Sequence, residues 1–383
     1  MEQVLYKLPD GWEWKRIEDI FTITSGKNLT KKDMHDEGRF SVYGGNGIAG
    51  KYNDFNLSGS NIIIGRVGAL CGNVRLVNDD IWVTDNAFFI KEYKIDILKE
   101  YLAKVLAALN LGETANKAAQ PVISYKGIKD LVIPYPPLDE QKRIVEKLDA
   151  LLTRIDTAIE HLQESLTLAD ALSKNGLSEI FESLKDRYEV VPLSSVVKIN
   201  SGIALPKLFK NGFSDGDIPF FKVAQMNNHH ETMVEPEITF NETVAKEHKI
   251  KLFPKGSTLI PKRGGAILTN KKRMLLENAS YDSNIMGLKA DESKISDDYL
   301  FAFMRTIDLA NFVDASTIPQ VNNKHIDQMQ IPLASIEEQT DVVSQVNLLV
   351  KKVEVTNYEI QSQLVDLQAL KSSILDSAFK GEL

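Results

Sequence analysis

LDEQKRIVEKLDALLTRIDTAIEHLQESLTLADALSKNGLSEIF, running from Leu138 to Phe181, recurs: shifted by 198 positions it overlays Ile336 to Phe379 without a gap. In the first copy apolar or small residues fall at Val145, Leu148, Leu152, Ile155, Ile159, Leu162, Leu166 and Ala169. The steps alternate between three and four, which is the seam of a heptad helix. The second copy places Val343, Val346, Val350, Val353, Asn357, Ile360, Leu364 and Leu367 at the equivalent positions. Two long helices, each with one narrow apolar stripe, predict a coiled-coil pair. At about 1.5 Å per residue, roughly 45 residues give a rod of nearly 70 Å, a natural spacer.

Each helix has a start signal. Ser335 followed by Glu338 reads as a capping box, in which hydroxyl and carboxylate satisfy each other's backbone N–H groups. The first copy has Pro137 in place of the serine, and proline's fixed φ also suits a helix entrance. Asn357 stands on the seam where the first copy has Ile159. Buried, it fixes helix register at a cost in stability; if the seam drifts there, it is exposed.

The repeat extends beyond the helices. DGWEWKRIEDIFTITSG, Asp10 to Gly26, aligns with DRYEVVPLSSVVKINSG, Asp186 to Gly202, at a shift of 176. Arg66 and Gly68 then pair with Arg263 and Gly265, Asn86 with Asn284, Tyr101-Leu102 with Tyr299-Leu300, and Ile133-Pro134 with Ile331-Pro332. The growing shift puts roughly twenty extra residues between Gly202 and Arg263 of the second copy. A unit made of a globular domain and a long helix is therefore duplicated, with domains at 1–134 and 186–332 and helical segments at 135–185 and 333–383. Inside each domain, Asn61–Arg66 and Ala87–Lys91 read as strands, whereas Ile97–Leu109 and Tyr299–Phe312 have helical spacing. The class is α+β.

Composition narrows the function. A chain of 383 residues, 43% hydrophobic and 26% charged, has room for several packed domains. It has no apolar run of membrane-spanning length, its N-terminus lacks the features of a signal peptide, and its lone Cys71 cannot form a disulfide framework, so a cytoplasmic location is expected. The net charge of −8 sits on the helices: Leu138 to Val191 holds seven basic and twelve acidic residues, and Ser335 to Leu383 four and eight. The remainder is close to neutral, and local basic clusters there can still meet phosphates.

Catalytic signatures are missing. GGNGIAG contains a formal GxGxxG at Gly45, Gly47 and Gly50, but the adjoining KYNDFNLSG has no helical period, which favours a glycine-rich turn over a dinucleotide site. PYPP at Pro134 to Pro137 has the wrong order for an amino-methyltransferase motif, and no P-loop, zinc signature or nucleophile elbow occurs. His229 and His230 are adjacent and lack companion ligands, so they read as surface histidines, and His161 lies off the seam as a solvated residue. Groups able to read base edges or meet phosphate gather in loops: Lys27, Asn46, Arg66, Asn73 and Arg75 in the first half; Gln225, Asn227, Asn228, Lys262 and Arg263 in the second. Lys271, Lys272 and Arg273 add a compact basic cluster. Each is either a reader or an ordinary solvated side chain; their presence in both halves points to reading.

LPDGW at Leu8 to Trp12, YGGNGI at Tyr43 to Ile48 and the doubled helix entrances ending in Glu-Gln resemble the DNA-specificity subunits of type I restriction–modification systems, along essentially the whole chain. The resemblance implies two pseudo-symmetric α/β target recognition domains joined by two long antiparallel coiled-coil helices, and a non-catalytic chain. It also implies binding to double-stranded DNA at an asymmetric bipartite target, with two modification subunits and the restriction subunits as partners. S-adenosylmethionine, ATP and Mg belong to those partners, and this chain is expected to hold no cofactor or metal. The halves match poorly between Lys27–Ser60 and Ile203–Ser257, where different specificities are expected to lie. SAFKGEL at the end is similar to the close of family members, so the chain is expected to be complete. Two other readings stay open: a specificity chain for a related multisubunit restriction enzyme cutting outside its site, and a coiled-coil adaptor that does not bind DNA.

Overall fold

The computed structural model describes residues 3, 5–116, 119–313 and 318–383. The first globular part contains strands β1 (Glu13–Arg16), β2 (Phe21–Ser25), β3 (Phe40–Gly44), β4 (Gly47–Tyr52), β5 (Asn61–Gly65), β6 (Val74–Val77), β7 (Ile81–Val83), β8 (Ala87–Tyr93) and β9 (Val132–Tyr135), with helices α1 (Ile17–Ile20), α2 (Lys99–Ala108) and α3 (Tyr125–Ile128). Helix α4 comes next, Leu138–Lys185. The second part holds β10 (Val190–Pro192), β11 (Val197–Ser201), β12 (Phe213–Asp215), β13 (Ile218–Phe221), β14 (Ile238–Phe240), β15 (Thr258–Pro261), β16 (Arg273–Met274), β17 (Ser280–Tyr281), β18 (Ile285–Ala290) and β19 (Gln330–Pro332). Its helices are α5 (Glu242–Glu247), α6 (Asp297–Thr306) and α7 (Asn323–Gln328), and the closing helix α8 is Ile336–Lys380.

The sheets are doubled as the sequence is. One sheet runs β2-β8-β5-β6 in the first part and β11-β18-β15-β16 in the second; a smaller one runs β4-β3-β7 in the first and, with β12 added at its edge, β12-β14-β13-β17 in the second; a two-stranded ribbon pairs β1 with β9 and β10 with β19. The apolar run of β5 is buried from Ile62 to Gly65, as a strand covered on both faces requires.

Compactness follows neither the repeat nor the linear boundaries. One unit comprises Met1–Gln163 with Gln361–Leu383, and the other is Glu164–Ile360. Each therefore combines a globular part with parts of both long helices. In the first unit Tyr101 packs edge-on against Phe379, at the end of α8. In the second, Tyr299 packs against Phe181, at the end of α4, with ring centres 5.4 Å apart. The helix of each repeat thus completes the core of the other repeat's domain.

Within the second unit Asp170 meets Asn357, and Gly176 faces Leu349, so the helices run antiparallel. In the first unit Lys371 pairs with Asp156 at 2.6 Å. On α4 the seam residues Val145, Leu148 and Ile155 are buried, while Leu152, Ile159 and Leu162 are half-buried; on α8 Val346 and Ile360 are buried and Val343, Val350, Val353 and Leu364 half-buried. Asn357 is half-buried as well, between the two alternatives set by its sequence position. Its Nδ2 donates to Asp170 Oδ1 at 3.3 Å, while its Oδ1 is shielded and has no hydrogen-bond partner among the described residues.

The helix entrances are tied down by a glutamine. Gln141, fully buried, accepts from Leu98 N at 2.8 Å and donates to Pro136 O at 2.9 Å. Its counterpart Gln339 accepts from Ser296 N at 2.8 Å and donates to Lys294 O at 3.0 Å and Ala334 O at 2.9 Å. Tyr101 and Tyr299 each donate a hydroxyl at 2.9 Å, to Pro134 O and Pro332 O respectively. The capping box is made in part: Ser335 Oγ accepts from Glu338 N at 3.3 Å, but the Glu338 carboxylate turns to Arg187 at 2.6 Å. A guanidinium distant in sequence draws the carboxylate away from the helix start.

Candidate nucleic-acid interface

The loops at one end of the larger sheet share a backbone frame in both units. After β2, Gly26 N donates to Ala87 O and Lys27 N to Val83 O; after β11, Gly202 N donates to Ile285 O and Ile203 N to Tyr281 O. A β-carbon at Gly26 would collide with the Val83 carbonyl, and one at Gly202 with the Asp282 carbonyl, which explains the glycine of both Ser-Gly pairs. Beyond β5, Arg66 N donates to Asn86 O, Gly68 N to Pro121 O, and Ile123 N to Arg66 O. Beyond β15 the same bonds join Lys262 N to Asn284 O, Gly264 N to Pro319 O, and Val321 N to Lys262 O.

This register corrects the sequence pairing by one residue. Arg66 corresponds to Lys262 and Gly68 to Gly264, while Arg263, bridged to Gln320, takes the place of Val67, bridged to Val122. Two adjacent glycines, Gly264 and Gly265, allow either alignment in sequence; the left-handed φ of +103° at Gly68 and +77° at Gly264 identifies the true pair.

In the first unit GGNGIAG joins strand to strand. Gly45 and Asn46 form the two-residue turn of the β3–β4 hairpin, so the phosphate-cradling strand-to-helix geometry does not occur there. A cleft of about 450 Å³ opens beside it, lined by Lys31, Asn46, Thr84, Asn86 and Gln120 among others. Lys27 is exposed, and its carbonyl accepts from Trp82 Nε1 at 3.1 Å. Asn46 is exposed; its Oδ1 accepts from Leu70 N at 3.3 Å, and its carbonyl accepts from Arg75 Nη2 at 3.5 Å. Arg66, half-buried, donates to Asp85 O at 3.1 Å above the Phe88 ring, and Asn73 is half-buried in the turn before β6. Lys31, Asn86 and Gln120 belong to the same concavity and were not singled out in the sequence; Asn86 had a signal there, its match to Asn284.

In the second unit the equivalent hairpin, β13–β14, is closed by the far longer segment from Lys222 to Glu237. Gln225 and Asn228 build this tip. Gln225 Oε1 accepts from Lys222 N at 2.9 Å, and its Nε2 donates to Glu235 O at 3.0 Å. Asn228 donates to Gln225 O and Thr232 O and accepts from His230 N at 2.8 Å and Arg273 Nε at 3.2 Å. Asn227 and Arg263 are exposed, and Lys262 donates to Ser201 Oγ at 3.0 Å.

The basic cluster at Lys271 to Arg273 is a correction. Lys271 is half-buried, but Lys272 and Arg273 are buried. Lys272 donates to Asn270 Oδ1 at 2.7 Å and to Ile307 O, and burial pushes its ammonium down to about 8, with Asp308 opposing. Arg273 donates to Lys272 O and Asn228 O, both at 2.7 Å, and burial lowers its pKa also. These two cations hold loops together instead of presenting charge to solvent.

Among the described residues no His, Cys, Asp or Glu cluster could hold a metal ion, and no helix is long and apolar enough to cross a membrane. A model of the type I restriction modification DNA specificity domain matches the chain twice, over residues 9–168 and 185–365. The EcoprrI specificity subunit of Escherichia coli is 26% identical over 185 residues, 47% of this chain and 45% of that one. The StySPI specificity subunit of Salmonella potsdam is 22% identical across 98% of this chain and 90% of that one. A solved chain from work on complex assembly and conformational transition of the type I R-M system has a TM-score of 0.78 at 20% identity, over 99% of this chain and 100% of that one. At that identity the likeness is one of fold.

Proposed function

The chain belongs to the family of type I restriction–modification DNA specificity subunits, and on that premise we propose that its two recognition domains bind the two halves of an asymmetric bipartite target in double-stranded DNA. The observation that supports this most is the equality of the frames and the inequality of the tips. One hydrogen-bonded loop frame is built twice, around a two-residue turn at Gly45-Asn46 and around the long tip from Lys222 to Glu237. Equal frames with unequal tips suit two reading heads for two different short sequences. Exposed Lys27 and Arg263 meet phosphates, and exposed carboxamide side chains at each tip, Asn46 in the first and Asn227 in the second, contact base edges.

In this reading the subunit does no chemistry. Two modification subunits dock on the long helices, bind S-adenosylmethionine and methylate adenine; restriction subunits use ATP and Mg to translocate and cleave; and the complex works in the cytoplasm. The helices act as a ruler. Deleting one heptad from α4 together with the facing heptad of α8 is expected to shorten the unread spacer while both half-sites stay as they were. Long-read methylation mapping of cells carrying this variant and its modification subunits reads both quantities. Altered half-sites with an unaltered spacer would contradict the proposal.

A further inference from the structure

The tip between β13 and β14 is tied to its unit at several points. Its feet, Met226 and Met233, are buried in a cluster with Phe221, Phe253, Leu275 and Tyr281. Between the feet the chain is clamped on both sides. The Arg273 guanidinium holds Asn228 through its Oδ1 and its carbonyl, at 3.2 Å and 2.7 Å. Arg305 of α6 grips the Glu231 carboxylate with two donors, and its third arm reaches Asn347 of α8 at 3.0 Å. Backbone bonds from Met274 N to Glu231 O and from Met233 N to Met274 O close the descending limb.

This clamping separates two kinds of polar residue. The amide groups of Gln225 and Asn228 serve the loop itself. Asn227, His229 and His230 are exposed at its crest. Imidazole and carboxamide groups offer the donors and acceptors that base edges recognise, and side chains on a rigid loop lose little entropy when they bind. The short helical turn Val223–Asn227 also lies against Gly264–Thr269, which begins immediately after the exposed Arg263. Arg263, exposed at the start of that second turn, is a cation available to phosphate.

We infer that the segment from Lys222 to Glu237 is the specificity element of the second recognition domain, with Asn227, His229 and His230 as its base-contacting side chains and Arg273 and Arg305 as positioning residues. This rests on the chain's being a DNA specificity subunit. The first domain needs no such clamp: its hairpin turns in two residues, and the position equivalent to Arg305 is Ala107.

The test uses the full chain expressed with its modification subunits in cells lacking other adenine methylation, read by long-read methylation mapping. The combined variant Asn227→Ala, His229→Ala, His230→Ala touches only exposed side chains. It is expected to relax or abolish one half-site, with discrimination falling roughly 5- to 150-fold for each good base contact removed, while the other half-site is unchanged. Retention of both half-sites in this variant overturns the inference. Arg273→Lys keeps the charge but loses the fork, and is expected to relax the same half-site. If Arg273→Lys only lowers the melting temperature and leaves that half-site intact, its positioning role is wrong. A wild-type complex that methylates no bipartite motif would sink the underlying specificity reading itself, a result distinct from either variant outcome.

Discussion

The two recognition units match strand for strand in the larger sheet and in the ribbon, and differ most in the smaller sheet, at one hairpin. Phe220 pairs with Ile238 and Val42 with Gly50, the same rung of the same hairpin, yet one hairpin turns through Gly45-Asn46 and the other through the clamped segment from Lys222 to Glu237. Around this difference the supporting bonds repeat pair by pair: Tyr101 to Pro134 and Tyr299 to Pro332, Gln141 to Pro136 and Gln339 to Ala334, Gly68 to Pro121 and Gly264 to Pro319. Duplication with later divergence at the tips leaves such a pattern. What both copies need for folding is kept in both, and what differs sits on loops that a rigid frame presents.

If the frames are equivalent, equivalent changes have comparable effects, and departures should follow the bond count. Replacing Gln339 with Leu leaves Ser296 N and two carbonyls without their partner; replacing Gln141 leaves one N–H and one carbonyl. Losses of about 3 and about 2 kcal/mol are expected, in that order, at about 1 kcal/mol for each hydrogen bond removed. Urea unfolding of the two variants measures this. A large loss at Gln141 with none at Gln339 would break the equivalence.

A smaller effect of opposite sign is expected on the helix seam. Asn357 is imperfectly satisfied where it stands: it makes one long bond to Asp170, and its oxygen is shielded without a partner among the described residues. Restoring the isoleucine that the first copy has at Ile159 should stabilise the chain by about 1 kcal/mol, as an apolar residue replaces an imperfectly satisfied polar one in a coiled-coil seam. A higher denaturation midpoint for Asn357→Ile supports this; a lower one would mean that the amide specifies helix register at a net gain.

Much of the architecture was legible in the chain. The heptad spacing marks both long helices, and the repeat predicts the doubled domain, because periodicity and self-similarity are properties of sequence alone. The site was less legible, for physical reasons that particular residues make plain. Lys272 and Arg273 look like an exposed basic cluster, but their charges face carbonyls such as Ile307 O and Asn228 O that lie far away in sequence. Gln225 and Asn228 have the right chemistry for bases, yet loop closure occupies it. The pairing of Arg66 with Lys262 depends on a hydrogen-bond register that two neighbouring glycines conceal. The buried glutamines were visible as part of a doubled Glu-Gln, but only the fold shows that the second residue of that pair ties each helix to its domain.

The central claim, that one frame carries two interchangeable reading heads, is tested most directly by replacing residues 186–332 with a second copy of residues 10–134. Methylation mapping of cells carrying this chain and its modification subunits should reveal a target whose two half-sites are identical and inverted, matching the half-site read by the first domain. An unchanged asymmetric target from the same chain would contradict it.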